Sequence, residues 1–247
     1  MSDLERAAQL VRQAKRISVL SGAGVSAESG IPTFRGLGGL WRGRDPMRLA
    51  TPEAFDAEPA LVWEFYNWRR DLVARAEPNP AHRALVDLAR RAGRLTLITQ
   101  NVDRLHQRAG SRDVIELHGN LFDVRCTGCG ITFDRAGVVL PPLPRCDACG
   151  ALLRPAVVWF GESLPPDAWS AAFSGVHESD LLLVVGTSAL VFPAAGLVGS
   201  ARRSGLAIIE INLEPTPVSD AIDVGLYGPA GTILPQLVPG SAEPSLT

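Results

Sequence analysis

The stretch Ile17-Ser18-Val19-Leu20-Ser21-Gly22-Ala23-Gly24-Val25-Ser26-Ala27 decides the fold of this chain. Ile17 to Leu20 is a short apolar, partly β-branched run with the length of a buried parallel strand. Gly22 to Ala27 follow without a break and fit the pattern G-x-G-x-x-G/A. In that pattern the glycines permit a tight turn and a close approach of backbone to a pyrophosphate, and the next helix aims its first N–H groups at the anion. An ordinary glycine-rich strand-to-helix turn would carry the same letters. A dinucleotide-binding unit should also end its second strand, about 20 residues on, with a ribose-binding acid. Here the chain runs through Pro32-Thr33-Phe34-Arg35-Gly36 into a loop instead.

Working outward, further apolar runs read as strands at Leu95 to Thr99, Val114 to Leu117, Ala156 to Phe160, Leu181 to Val185 and Ala207 to Ile211. Leu4, Ala8, Val11 and Ala14 keep helical spacing. Thr51-Pro52 and Asn79-Pro80 are helix starts, a capping side chain followed by proline at the first helical position, and Gly93 ends the second of these helices. Ala60 to Ala76 reads as a helix with Leu61, Phe65, Trp68 and Leu72 on one face, and helices are also expected at Pro166 to Phe173 and Ala194 to Arg203. Strands alternating with helices predict an α/β fold, a Rossmann-like parallel sheet with helices on both faces. Two segments break the alternation, Gly36 to Glu77 and Asn120 to Arg154, and are expected to pack together as a smaller domain. The division is then 1–35, 78–119 and 155–247 for the Rossmann-like sheet, and 36–77 with 120–154 for a helical module plus a cysteine-bearing ribbon. Gly36 to Ala50, rich in glycine, reads as a loop that orders over a ligand, and Ser241 to Thr247 as a frayed tail. His82 lies on the Asn79-Pro80 helix and is expected to be structural.

With 46% hydrophobic residues the chain can build a substantial core. The formal charge of −2 argues against bulk nucleic-acid binding. No apolar run reaches the roughly 18 residues of a membrane span. The charged, amphipathic start lacks an apolar signal core, so a cytoplasmic protein is expected. Cys126-x-x-Cys129 and Cys146-x-x-Cys149, with sixteen residues between the pairs, fit a four-cysteine zinc site. Four thiolates leave no open position for water, so such a zinc is structural. Two disulfides fit poorly with a chain that is not exported.

Several motifs recur in one order from about residue 17 to 238. They are Gly22-Ala23-Gly24-Val25-Ser26 with Gly30-Ile31-Pro32-Thr33-Phe34-Arg35, then Thr99-Gln100-Asn101-Val102-Asp103, Glu116-Leu117-His118-Gly119, Val158-Trp159-Phe160-Gly161-Glu162 and Gly186-Thr187-Ser188. Together with the cysteine quartet, this series resembles the sirtuins, the NAD-dependent protein lysine deacylases. The resemblance implies NAD as co-substrate, with its nicotinamide–ribose bond cleaved and C1′ captured by the acyl oxygen of the substrate lysine. The alkylimidate so formed is attacked by a ribose 2′-hydroxyl, leaving lysine, nicotinamide and 2′-O-acyl-ADP-ribose. His118, at the end of a short strand, is then the general base, which an imidazole can be at neutral pH.

The same resemblance assigns Gln100 to the nicotinamide ribose, and Asn101 and Asp103 to the nicotinamide pocket, with Asn101 also placing a water. Gly22, Ala23, Gly24 and Ser26 belong to the cofactor turn. Phe34 and Arg35 cover the ribose and pyrophosphate, Phe34 shielding C1′ from water. Gly186, Thr187 and Ser188 meet the phosphates and the adenosine ribose, Asn212 and Glu214 stand in for the missing ribose acid and its partner, and Ala230 lies in the adenine-edge turn. Val158, Phe160, Gly161 and Glu162 hold the substrate backbone as an added strand. Arg104 stands where many sirtuins have glycine. Tyr66-x-x-Arg69 places a phenol and an arginine fork on one helix face, a pair able to bind a carboxylate. Within a sirtuin these two, with the small Ala50, resemble class III members that remove succinyl, malonyl or glutaryl groups. Acetyl-lysine deacetylation, protein ADP-ribosylation and a noncatalytic zinc-ribbon module are the alternatives. The expected partners are acylated-lysine proteins or peptides, with no nucleic acid and no membrane, bound by a monomer.

Overall fold

The structure is a computed structural model, in which residues 1–33 and 41–238 are described. Phe34 and Arg35, the glycines at 36, 38 and 39, and the tail from Ser241 lie outside the described residues. In chain order the first elements are α1 (Asp3–Gln13), β1 (Arg16–Ser21), α2 (Ala23–Ala27), α3 (Pro52–Ala57), α4 (Pro59–Arg75), α5 (Pro80–Arg91), β2 (Arg94–Thr99) and α6 (Leu105–Ala109). They continue with β3 (Ile115–Glu116), β4 (Gly119–Cys126), β5 (Thr132–Asp134), β6 (Leu153–Val157), α7 (Pro166–His177), β7 (Leu181–Val185), α8 (Gly196–Arg203), β8 (Ala207–Asn212), β9 (Val224–Tyr227) and α9 (Ala230–Leu237).

Six parallel strands form the larger sheet in the order β3-β2-β1-β7-β8-β9. Val19, Leu97, Leu183 and Ile209 face one side, under α1, α5 and α9, and Leu20, Ile98, Leu182 and Ile208 face the other, under α7 and α8. A strand buried on both faces needs apolar residues without alternation, which is why Leu181–Val185 is legible as an uninterrupted run. Strand order reverses between β1 and β7, and in open α/β sheets ligands bind outside the strand ends at such a switch point. The caps are as the sequence reads: the Thr51 hydroxyl accepts from the Ala54 N–H at 3.1 Å, and the Asn79 side chain accepts from Ala81 at 2.9 Å.

The second sheet is small and antiparallel, in the order β5-β4-β6. It shares a core with α3 and α4, built on Phe55, Val62, Trp63, Phe65, Tyr66, Val124, Leu153 and Trp159. Three sequence readings change here. The strand expected at Ala156 to Phe160 instead spans Leu153–Val157 and belongs to the small sheet, so this core continues to Trp159. Helix α4 buries Val62, Trp63, Phe65, Tyr66, Arg70 and Val73, whereas Trp68 is 38% exposed. The buried stripe is rotated because the ribbon offers polar partners: Trp63 Nε1 donates to the Leu153 carbonyl at 2.8 Å, and the Arg70 guanidinium donates to the carbonyls of Leu121 and Arg135, both at 2.7 Å. Finally, α6, β9 and α9 were not read from the sequence. Pro235 inside α9 hides a helix whose buried residues are Ala230, Leu234 and Leu237. Among the described residues no helix is long and apolar enough to cross a membrane.

Candidate active site between the sheet and the small module

The turn after β1 locks into the turn after β7. Gly22 N donates to the Val185 carbonyl at 3.0 Å and Gly24 N to the Gly186 carbonyl at 2.8 Å. A β-carbon on Gly24 would lie 2.8 Å from Gly186 Cα, and one on Gly186, whose φ is +58°, would lie 2.4 Å from Val25 N. The glycines are therefore required by the approach of two protein backbones to each other, independently of any anion. Thr187 is the hub of this end. Its hydroxyl accepts from Gln100 Nε2 at 2.9 Å, and its carbonyl accepts from Asn212 Nδ2 at 2.9 Å. Asn212 in turn accepts the Gly228 N–H on its carbonyl, at 2.7 Å, and the Gly231 N–H donates to Glu28 at the end of α2. Ala230 is thus held beside the glycine turn. Ser188 is half-buried next to Thr187, while Ala23 and Glu214 are exposed.

Beneath the turn lies a buried polar cluster. Ser26 Oγ donates to Asp103 Oδ2 at 2.7 Å and accepts from Asn101 Nδ2 at 3.1 Å. The Asn79 backbone N–H donates to His82 Nδ1, so the His82 proton sits on Nε2 and points at Ser26 Oγ, 3.4 Å away. Burial, with Arg83 nearby, lowers the His82 pKa to about 4. His106, stacked edge-on against His82, is pushed down to about 3 by burial, and its Nδ1 has no partner among the described residues. Asp103 is raised above the ordinary carboxylate range by burial, against the hydrogen bonds from Leu105 N and Ser26. His82 is thus hydrogen-bonded between the Asn79 N–H and Ser26; His106 carried no signal in the sequence.

His118 follows β3. Its Nδ1 lies 3.0 Å from the Gln100 carbonyl, and a carbonyl only accepts, so Nδ1 carries the hydrogen and Nε2 is the unprotonated nitrogen. Burial lowers its pKa below 6.5, partly offset by that same hydrogen bond. The ring is neutral at pH 7 and can take a proton at Nε2.

Three consecutive residues tie the substrate-side candidates together. Val158 N donates to the His118 carbonyl at 2.9 Å, Trp159 Nε1 donates to the Tyr66 hydroxyl at 2.8 Å, and Phe160 N donates to the Ala50 carbonyl at 2.9 Å. Glu162 accepts a fork from Arg154, at 2.6 and 2.9 Å, and the Trp159 N–H at 2.8 Å. Its carboxylate therefore holds the segment in place, and the N–H groups of Val158, Trp159 and Phe160 are taken up within the protein. An added strand would be met by carbonyls of this segment, beside the exposed Phe160 and Gly161. Tyr66 is fully buried, and burial raises its pKa, with Arg69 opposing. Arg69 lies over both the Phe65 and Tyr66 rings, 5.6 Å to each centroid. Burial works against its charge, and Tyr66 and Asp103 support it. The Tyr66 oxygen accepts from Trp159 Nε1, and the Arg69 guanidinium is hydrogen-bonded to the same phenol.

The four cysteine sulfurs lie within 4.8 Å of one another, Cys126 and Cys149 at 3.4 Å and Cys129 and Cys146 at 3.7 Å. These separations are far beyond a disulfide bond. They match the edge of a tetrahedron with Zn–S bonds of about 2.3 Å, which puts sulfurs about 3.8 Å apart. Backbone N–H groups of Cys129 and Gly128 point at Cys126 Sγ and draw its pKa down to about 6, while against the Ile131 N–H the neighbouring sulfurs push Cys129 up to about 11. The residues present fit a structural zinc.

Residues 22–193 match the Sir2 family model. The chain is 51% identical over 235 residues to NAD-dependent protein deacylase 1 of Archaeoglobus fulgidus, covering 95% of this chain and 96% of the relative. It is 50% identical over 240 residues to NAD-dependent protein deacylase 1 of Pseudomonas aeruginosa, covering 93% and 96%. Among solved structures, a Sir2 homolog–NAD complex superposes with a TM-score of 0.90 at 51% identity, covering 95% of this chain and 92% of that one. A Sir2 bound to acetylated peptide superposes at 0.85 with 32% identity, covering 96% and 97%. With two thirds of its length under the family model and half its residues shared with those relatives, the chain belongs to the Sir2 family.

Proposed function

We propose that this chain is an NAD-dependent protein lysine deacylase with a preference for negatively charged acyl groups. The observation that carries the activity is His118, neutral and with Nε2 unprotonated, placed where the ends of β2 and β3 meet the segment 158–160. NAD supplies the ribose carbon that accepts the acyl oxygen. The glycine turn with Ala23 and Ser26, and Gly186, Thr187 and Ser188, seat its phosphates at the switch point. Asn212 and Glu214 serve the adenosine ribose, with Ala230 at the adenine edge, and Gln100 the nicotinamide ribose. Asn101 and Asp103, fixed by Ser26, shape the nicotinamide pocket. His118 then takes the proton from the ribose diol. Cys126, Cys129, Cys146 and Cys149 would hold a zinc that builds the ribbon and takes no part in the chemistry.

The acyl preference rests on the buried Tyr66 and the half-buried Arg69 sharing one face of α4 near Ala50, whose carbonyl is bound by Phe160 N. A carboxylate entering there meets a guanidinium and a phenolic proton, so that its loss of water is offset by charge-assisted hydrogen bonds. Acetyl-lysine is the second reading, favoured by the fold shared with a Sir2 bound to acetylated peptide. Matched acetyl-, malonyl- and succinyl-lysine peptides decide it: the proposal expects NAD-dependent release of nicotinamide with 2′-O-acyl-ADP-ribose, fastest for succinyl or malonyl. Acetyl turnover above both would establish the second reading. No peptide-dependent NAD consumption, or ADP-ribose left on a protein, would reject deacylation.

A further inference from the structure

Arg104 occupies a left-handed backbone position, φ +57°, immediately after Asp103. Left-handed backbone is unfavourable for a residue with a β-carbon and persists only where the surroundings compensate. Here the compensation is ionic. Arg104 NH1 donates to Asp134 on β5 at 2.9 Å, NH2 donates to Asp123 on β4 at 2.9 Å, and Nε lies 3.9 Å from Glu116 on β3. The guanidinium is largely covered, at 23% exposure. Asn120 bridges the second oxygens of Glu116 and Asp123 at 2.9 and 2.8 Å, and Gln107 donates to Glu116 at 2.7 Å.

One side chain thus joins the large sheet to two strands of the ribbon. Its position in the chain gives the cluster a role beyond cohesion. Arg104 adjoins Asp103, while Glu116 and Asn120 bracket His118 at two residues on either side. Asp103 also holds the Leu105 N–H at 2.9 Å, so residues 103 to 105 turn as one unit. β4 runs directly from this cluster into Cys126. Resting on the deacylase reading for its kinetic arm, we infer that Arg104 is a positioning residue: it transmits the fold of the cysteine ribbon to Asp103 and His118, so that metal loading sets the geometry of the reacting site.

Arg104→Gly is the suitable probe, because glycine accepts the backbone conformation and only the fork is lost. Three carboxylates would then share one site, and the ribbon strands should part from β3. Misplacement of reacting groups by about 1 Å can cost around a hundredfold. The expected fall in kcat is at least about tenfold, with KM for NAD within about twofold, because Gly186, Thr187 and Asn212 hold the other end of the site. Asp123→Asn in the Arg104→Gly background should cost nothing further and, by removing one of the three unpaired carboxylates, should recover part of the loss. Hydrogen exchange gives a readout free of turnover. The Leu105 and Leu121 amides, bonded to Asp103 Oδ1 and the Val102 carbonyl, should lose protection in Arg104→Gly, and in wild type on zinc chelation. In Arg104→Gly chelation should change the Leu105 amide little further. A wild-type protein without deacylase turnover would remove the reading of function and leave the exchange arm to decide the coupling. Unchanged protection at both amides in Arg104→Gly, or no response of the wild-type Leu105 amide to chelation, would overturn the inference; so would losses in kcat that multiply between Arg104→Gly and Asp123→Asn.

Discussion

At the switch between β1 and β7 the site is assembled from backbone and short side chains: Gly22 and Gly24 against Gly186, Gln100 on Thr187, Asn212 on the Thr187 carbonyl. In the small module it is assembled from long side chains: Tyr66 and Arg69 on α4, the Arg154 fork on Glu162 and the Arg104 fork on two ribbon carboxylates, with the four clustered cysteines at its far end. The first arrangement cannot tolerate volume, because a single added carbon meets backbone within 3 Å. The second tolerates volume and depends on charge. Parts serving a ligand shared by all substrates can be rigid, whereas the part that selects a substituent must be changeable one side chain at a time.

Substitutions can break this division, beginning where the effect is largest. His118 stands at the junction of the two regions, and His118→Ala should lower deacylation by roughly 100- to 10,000-fold while NAD binding, measured calorimetrically, persists. Because burial holds the imidazole below its ordinary value, wild-type kcat/KM should be carried by the neutral ring at neutral pH and fall as pH drops through the His118 pKa. A variant keeping half the wild-type rate would remove His118 from the mechanism.

Arg69→Met isolates the charge-dependent region. Removing one partner of a buried ionic pair costs about 3–5 kcal/mol, so kcat/KM for succinyl-lysine should fall at least about 100-fold at 1.36 kcal/mol per decade. Acetyl-lysine brings no carboxylate and should hold steady or improve. Equal losses on both substrates would make Arg69 a structural residue.

Cys146→Ser attacks the same module through its metal. Metal binding is coupled to local folding, so melting temperature and solubility should both drop, and elemental analysis of the wild type should give one zinc per chain. A zinc-free wild type would count against the site.

Gly186→Ala adds the fewest atoms and probes the backbone-built region. Strain at a left-handed position is of order 1–3 kcal/mol, and the added carbon, 2.4 Å from Val25 N, also forces the two turns apart, so the melting temperature should fall by at least a few degrees per kcal/mol of strain. KM for NAD should rise and the acyl preference should not move. A shift in the succinyl-to-acetyl ratio would show that the two regions are not separable.

The large sheet was legible because its strands are buried on both faces, and an unbroken apolar run such as Leu181–Val185 has few other readings. The cysteine spacing was legible because a metal fixes its ligands. The strand at Leu153–Val157 was misplaced for the converse reason: an apolar run does not say which sheet it joins. The buried stripe of α4 was turned by hydrogen-bond acceptors on Leu121, Arg135 and Leu153, many residues away in sequence. Arg104 was visible as a residue but not as a hub, since its three carboxylates are 12, 19 and 30 residues further along the chain. The sequence by itself determined which residues could do chemistry and the layer they pack in, through periodicity, spacing and side-chain type. Only the tertiary structure decided the proton position on His118, the partner of Tyr66 and the link from ribbon to pocket, because each depends on a polar contact between segments that hydrophobic patterning does not encode.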